Sequence, residues 1–504
     1  MILNSVLSWY FKKRMQSVRS SIELPLSTQK QLLQELVNEG KFTDFGKKHG
    51  FADIKTYDDF KKSIPIQTYE SLKPFINQIM KGKQNVLWPS EIKWFAKSSG
   101  TTSDKSKFIP VSFESLEDCQ FKGMRDLLSL YCHHNPDTKI FEGKSLMIGG
   151  SHEINKLNES SYTGDLSAVL MNNTPFWVNL LRTPKPHIAL LPHWETKLEK
   201  MALATVNEDV TSISGVPTWT LLLMNRVMEL KGAKTIKEVW PNLELYMHGG
   251  VGFDPYRAPF AKLDPTNSIN FMETYNASEG FFGIQDIGVN DGSMLLMTDF
   301  GVFYEFMPMT EYGKENATVV GLNEVEVGKN YALIISTNAG LWRYMIGDTI
   351  MFTETKPFRF KITGRTKLFI NAFGEELMIE NAEKAMAEAC RKTNALVADY
   401  TAAPIYLKSD QSGAHQWLIE FDRLPDDLDI FRLELDNMLK AVNSDYEAKR
   451  NGNLALEAPH INVCQRGTFY KWLKAKGKLG GQNKVPRLSN DRKIVEEILS
   501  INTP

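Results

Sequence analysis

The 504-residue chain is poor in cysteine, and its four, Cys119, Cys132, Cys390 and Cys464, show no C-x-x-C spacing. Neither a disulfide framework nor a thiolate metal site is indicated, which fits a reducing, cytoplasmic setting. Charge of one sign is lacking too: 59 basic against 60 acidic residues leave a formal net charge of −1. That balance argues against a nucleic-acid-binding or polybasic membrane protein. No stretch approaches the ~20 apolar residues of a membrane span. The nine histidines include no H-E-x-x-H pair, no G-x-S-x-G elbow occurs, and there is no G-x-x-x-x-G-K-[ST] loop, so zincin, serine-hydrolase and ordinary P-loop chemistry are set aside.

What is present is enough chain, at 42% hydrophobic, for more than one core. The N-terminus, Met1 to Arg14, lacks a cleavage site and reads as an amphipathic helix that packs Ile2, Leu3, Val6 and Leu7 on its own domain. Thr28 and Gln31 predict a capping box ahead of Leu32, Leu33, Leu36 and Val37, with Gly40 as the C-terminal cap. Strand-like runs at Ser145 to Ile148, Leu243 to Met247 and Tyr331 to Ser336, separated by helical stretches such as Trp219 to Leu230, predict a mixed α/β domain of helix-covered sheets. After Gly364 the texture changes. A helix from Ile379 to Arg391, a strand from Trp417 to Phe421 and a helix from Asp427 to Val442 predict a small α+β domain. Between them lies the polar step Thr363 to Lys367, flanked by apolar runs; a domain junction or a tight hairpin would each look this way. The expected organisation is a large domain over 1–366 and a small one over 367–504.

Four segments can carry chemistry. Ser98-Ser99-Gly100-Thr101-Thr102-Ser103 places five hydroxyls and a glycine after a strand-like run, with Lys105 and Lys107 beside them; such a loop can wrap a polyphosphate or be an ordinary surface turn. Glu273 to Gly280 combines Tyr275, Ser278 and Glu279, a set able to stack a base, bind a phosphate and hold magnesium, for which one carboxylate is enough. In Leu341 to Asp348, an acid follows glycine after an apolar run and can accept from both hydroxyls of a ribose, although many strands end in Gly-Asp turns. Arg365 and Lys484 are cations available where charge develops on phosphorus, or are simply solvated.

In this order the segments resemble the adenylate-forming superfamily of acyl-CoA synthetases, luciferases and peptide-synthetase adenylation domains, and within it the auxin-responsive acyl acid amido synthetases. The resemblance runs nearly end to end and includes Arg343 to Asp348 and Lys484-Val485-Pro486-Arg487. It implies that Ser98 to Ser103 hold the ATP phosphates and that Tyr275 and Ser278 face the adenine and α-phosphate. It implies further that Glu279 binds Mg²⁺, that Asp348 takes the ribose with Arg365 nearby, and that Lys484 arrives on the lid to stabilise the transferring phosphate. The implied fold is a large N-terminal domain of packed sheets and helices with a small mobile C-terminal domain. The implied reaction adenylates a carboxylic acid and passes the acyl group to an amine, an amino acid by this resemblance. Gly364-Arg365-Thr366-Lys367 with Gly374 matches the superfamily hinge and places it at Lys367. Leu368 stands where an acid is usual and Asn371 where a lysine is usual, which speaks against thioester geometry. Phe121 to Leu127 falls where the family places an acyl-pocket helix, which makes Arg125 a candidate substrate residue or a surface arginine. Trp219 and Phe303 are further candidates, with core packing as the alternative. An acid–CoA ligase and a non-catalytic nucleotide- or acyl-binding protein are the competing readings.

Overall fold

The computed structural model describes residues 2–99, 106–149, 154–191, 194–253, 256–286, 292–366, 369–406, 412–453, 455–476 and 485–502. The chain opens with helices. Ile2–Glu23 runs through the basic step at Lys12 to Arg14 and buries Phe11, Met15 and Val18, spaced by three and four residues. Val6, expected inside, is 55% exposed on the other face. The next helix, Pro25–Gly40, begins three residues before the expected capping box, because Pro25 pre-sets the first helical turn. Thr28 is therefore inside the helix, where its hydroxyl donates to the Leu24 carbonyl at 2.9 Å. Gly40 is the last helical residue rather than a left-handed cap. Its hydrogen is needed for packing, since a Cβ there would lie 2.6 Å from the Trp342 ring.

Behind these helices stands an eleven-stranded mixed sheet. Its parallel part runs through Lys144–Met147, Val210–Ser214, Leu245–Gly249 and Asn270–Ala277. From there it turns antiparallel through Gly280–Ile284, Met294–Leu296, Phe358–Arg365, Tyr344–Thr355, Asn330–Thr337 and Val302–Pro308. The helix Pro217–Lys231 contributes Trp219, Leu223 and Val227 to the core on one face of the parallel strands. A separate four-stranded sheet pairs Trp94–Ser99 with Ser106–Val111 on one side and with Tyr162–Asp165 on the other. This sheet positions the start of the hydroxyl-rich loop.

The hairpin alternative for the polar step does not hold. Thr363 to Arg365 complete the strand Phe358–Arg365, and the next strand, Phe369–Ile370, pairs with Leu377–Met378 in a ribbon of its own. Lys367 and Leu368 lie outside the described residues. Beyond them Leu396–Ile405, Ala414–Arg423 and His460–Cys464 form a three-stranded sheet, accompanied by the helices Ile379–Lys392 and Leu428–Val442, the latter capped by Asp427. This α+β unit is docked on the large sheet: the Tyr256 hydroxyl donates to the Ala372 carbonyl at 2.5 Å and Asn371 Nδ2 to the Gly250 carbonyl at 3.1 Å. Among the described residues no helix is long and apolar enough to cross a membrane.

Candidate active site

Strands of the large sheet bring three of the sequence candidates together. Asp348 is in mid-strand in Tyr344–Thr355, directly opposite Arg365 in register. Gly347, with φ of +99°, supplies the left-handed turn of backbone before it, and its carbonyl accepts from Thr366 N at 2.8 Å. The Asp348 carboxylate accepts from the Tyr275 hydroxyl and, at 2.8 Å, from Arg365 Nε. Arg365 reaches on with Nη2 to Glu376 Oε1 at 3.1 Å and lies over the Phe369 ring at 5.5 Å. Burial by itself would lower the Arg365 pKa, but Glu376 and Asp348 outweigh it and hold the guanidinium above its ordinary value. Tyr275 is raised well above the usual phenol by burial and by Asp348. A carboxylate has about four acceptor sites, so Asp348 can make these two bonds and still receive two hydroxyls.

Tyr275 lies on Asn270–Ala277, which turns at Ser278 and Glu279 into Gly280–Ile284. Burial, with Asp348 and Glu376 adding and Lys107 opposing, raises the Glu279 carboxyl to about 7. A cation would relieve that cost. Around this turn three buried acceptors, Asn276 Oδ1, Gln120 Oε1 and Asn338 Oδ1, have no hydrogen-bond partner among the described residues. Orphaned acceptors suit a ligand that brings N–H or O–H donors, as an adenine amine and a ribose do.

Gln120 and Cys119 come from a π-helical turn, Ser115–Phe121, whose wide spacing turns them toward Ser278 and Gly280. Gln120 Nε2 donates to the Ala277 carbonyl at 3.3 Å. Gly123 lets the following helix come close, since a Cβ there would meet the Phe281 ring at 2.6 Å. Sequence reasoning missed this turn because π-helical spacing leaves no apolar period. Cys119 is buried and its thiol is pushed up to about 12, so it is no nucleophile.

Ser98 is half-buried at the end of Trp94–Ser99, aligned toward the loop; Gly100 to Ser103 lie outside the described residues, as does Lys484. Arg125 is turned back along its helix, with Nη2 donating to the Glu117 carbonyl at 2.9 Å and Nη1 3.5 Å from the Glu117 carboxylate. Phe303 packs edge-on against Tyr57 and Phe60 and lines a cavity of about 600 Å³ with Gln29, Leu33 and Leu322, which shares no lining residue with the Tyr275 turn. Trp219 is buried beneath Lys449 of the small domain, whose ammonium is 4.8 Å from its ring. Arg343, inside the motif that carries Asp348, is structural: it forks onto the fully buried Glu305 and donates to the Ile64 carbonyl at 2.6 Å.

A large mixed sheet with a small α+β unit docked against it is the architecture of adenylate-forming enzymes. A 2-hydroxyisobutyryl-CoA ligase structure in complex with its acyl-AMP and CoA superposes with a TM-score of 0.56 at 12% identity, covering 95% of this chain and 93% of that one. An acyl acid amido synthetase, GH3.15, superposes with a TM-score of 0.63 at 17% identity over 97% of this chain and 96% of that one. The chain belongs to the GH3 family. It matches the family's N-terminal domain over residues 14–269, its central domain over 295–365 and its C-terminal domain over 380–493. It is 24% identical to the indole-3-acetic acid-amido synthetase GH3.3 of Arabidopsis thaliana, covering 93% of this chain and 90% of that relative.

Proposed function

We propose that this chain is an ATP-dependent acyl acid amido synthetase, which adenylates a carboxylic acid and transfers the acyl group to an amine, an amino acid by family. The observation that carries the reading is the Tyr275–Asp348–Arg365–Glu376 network beside Ser278 and Glu279, where Lys107, the register partner of Ser98 on the strand after the hydroxyl-rich loop, acts on Glu279. In this reading Asp348 receives the ribose hydroxyls, Tyr275 and Ser278 border the adenine and α-phosphate, and Ser98 to Ser103 hold the phosphates that leave. Glu279 would hold Mg²⁺, which supplies charge neutralisation at the phosphates. Residues 1–366 bind ATP and the acid. Residues 367–504 act as a lid turning about Lys367, with Lys484 carried to the α-phosphate.

The chemistry needs no protein nucleophile. A carboxylate is a poor electrophile, and its attack on the α-phosphate converts it into a mixed anhydride with AMP as the leaving group. The network preorganises the nucleotide so that carboxylate and phosphorus meet in line. The amine then attacks the anhydride carbon. A cytoplasmic setting accords with four unpaired cysteines, three of them buried. Acid-dependent exchange of labelled pyrophosphate into ATP tests the reading. Exchange with at least one acid of a broad panel is expected; none across the panel would favour a nucleotide-binding protein without catalysis.

A further inference from the structure

A second set of charges lies beyond the nucleotide network and is unused by it. The helix Ser444–Arg450 of the small domain carries Asp445 and Lys449 one turn apart, on one side. The charges of Lys97 and Asp165 of the large domain, register partners on neighbouring parallel strands whose side chains leave the sheet on the same face, act on Asp445. Lys197, fully buried in Trp194–Thr205, donates to the Gly149 carbonyl at 2.9 Å and lies in the field of Asp165 and Lys449. Lys449 lies over Trp219, and a Cβ at Gly374, where φ is +88°, would approach its Nζ to 3.4 Å. The two domains are in close contact here: Gly452, at φ of +63°, leaves room for Glu195, whose Oε1 a Cβ would meet at 1.8 Å.

The position of this set is informative. It begins at Glu376, the last member of the Asp348–Arg365 network, and ends at Lys97, the residue before Ser98. It therefore borders the stretch between the ribose end and the phosphate end of the nucleotide site. Within it the half-buried carboxylate of Asp445 has no hydrogen bond or ion pair with any described residue, although Glu376, Asp165, Lys449 and Lys97 all act on it. A half-buried carboxylate without a partner, between lysines contributed by both domains, suits a ligand that carries one positive and one negative group.

We propose that Asp445 and Lys449, together with Trp219, Asp165 and Lys197, form the acceptor site for a zwitterionic α-amino acid, assembled when the lid docks. This rests on the amido synthetase reading above. Lys449 holds the α-carboxylate, and Asp445 takes one proton from the α-ammonium. The freed nitrogen lone pair forms the bond to the acyl carbon. The bond from that carbon to the phosphate oxygen breaks, AMP leaves with the electron pair, and the second nitrogen proton passes to solvent. Burial, with Glu376, raises the empty Asp445 carboxyl to about 7, while Lys449 and Lys97 oppose the rise, which suits a proton acceptor working near neutrality.

The two half-reactions separate this site from adenylation. In the full-length protein, Asp445→Asn and Lys449→Met are compared with wild type for pyrophosphate exchange, for amide formation with amino acids, and for trapping of the acyl-adenylate by hydroxylamine. Hydroxylamine has no carboxylate and is already neutral at pH 7. Expected is exchange within about threefold of wild type, which also reports an intact fold. Amide formation should fall about 100-fold in Asp445→Asn, with loss of the rise through pH 7. In Lys449→Met the amino-acid KM should rise about 30-fold, from loss of a charge-assisted contact. Hydroxylamine trapping should be spared in both. Amide formation at wild-type rates would overturn the proposal, and so would losses of exchange and transfer in parallel, which would place the cluster in the first step. A wild type without acid-dependent exchange would instead overturn the amido synthetase reading itself.

Discussion

Removing the Asp348 carboxylate is the perturbation whose consequences the structure defines most closely. Asp348 is 8% exposed and serves two protein donors, Arg365 Nε at 2.8 Å and the Tyr275 hydroxyl, while two acceptor sites stay available for ribose. In Asp348→Ala the acceptor sites proposed for the ribose disappear. Hydrogen bonds to a charged acceptor are worth about 1.5–3 kcal/mol each, and the pair is not additive, so ATP binding should weaken by about 3 kcal/mol, roughly 100-fold in KM. Arg365 keeps Glu376, but the Tyr275 hydroxyl loses its acceptor, which adds a stability cost of about 1–3 kcal/mol. Pyrophosphate exchange measured against ATP at fixed acid, and against acid at fixed ATP, reads the two substrates separately. The ATP KM should rise while the order of preference among acids is kept. A normal ATP KM with an altered acid preference would refute the ribose role.

Three further outcomes follow from separate parts of the molecule. Lys484→Ala should reduce exchange by about 100-fold or more, while ATP binding by the large domain, followed by calorimetry, stays within threefold; unchanged exchange would remove Lys484 from the adenylation step. Glu305→Ala leaves Arg343 without its only ionised partner among the described residues, at side-chain exposures of 6% and 0%, and should lower stability by about 3–5 kcal/mol in urea unfolding. His248, buried against Phe253 with neither ring nitrogen partnered among the described residues, is pushed down to about 3 by burial and Arg257. The unfolded chain binds that proton at about 6.5, so the folded state loses stability as pH falls from about 6.5 toward 3. His248→Phe should flatten that acid limb in unfolding at pH 4–7; an equally steep limb would contradict the assignment.

The Tyr275–Asp348–Arg365 network was legible because its residues lie in short, chemically distinctive runs. Tyr275, Ser278 and Glu279 span one hairpin turn, and Asp348 and Arg365 sit opposite each other on paired strands. Glu376 was invisible, since an acid in a polar loop has nothing to mark it until folding places it against Arg365. Asp445 and Lys449 read as the solvated face of a short helix and become a candidate site only through Trp219, which Lys449 overlies, and the charges of Lys97 and Asp165, more than two hundred residues away in sequence. Residue type alone located Phe303 and Arg125 less closely: Phe303 packs with Tyr57 and Phe60 and lines a cavity away from the Tyr275 turn, and Arg125 pairs with Glu117. The capping box at Thr28 lost to Pro25, a local signal overridden by a stronger one nearby.

Product identity under competition tests the central claim most directly. The protein is given ATP, Mg²⁺ and an acid that supports pyrophosphate exchange, together with a mixture of amino acids and CoA, and the acyl products are resolved by mass spectrometry. The account predicts an acyl–amino acid amide formed with one AMP per amide. A thioester of CoA as the sole acyl product would contradict it.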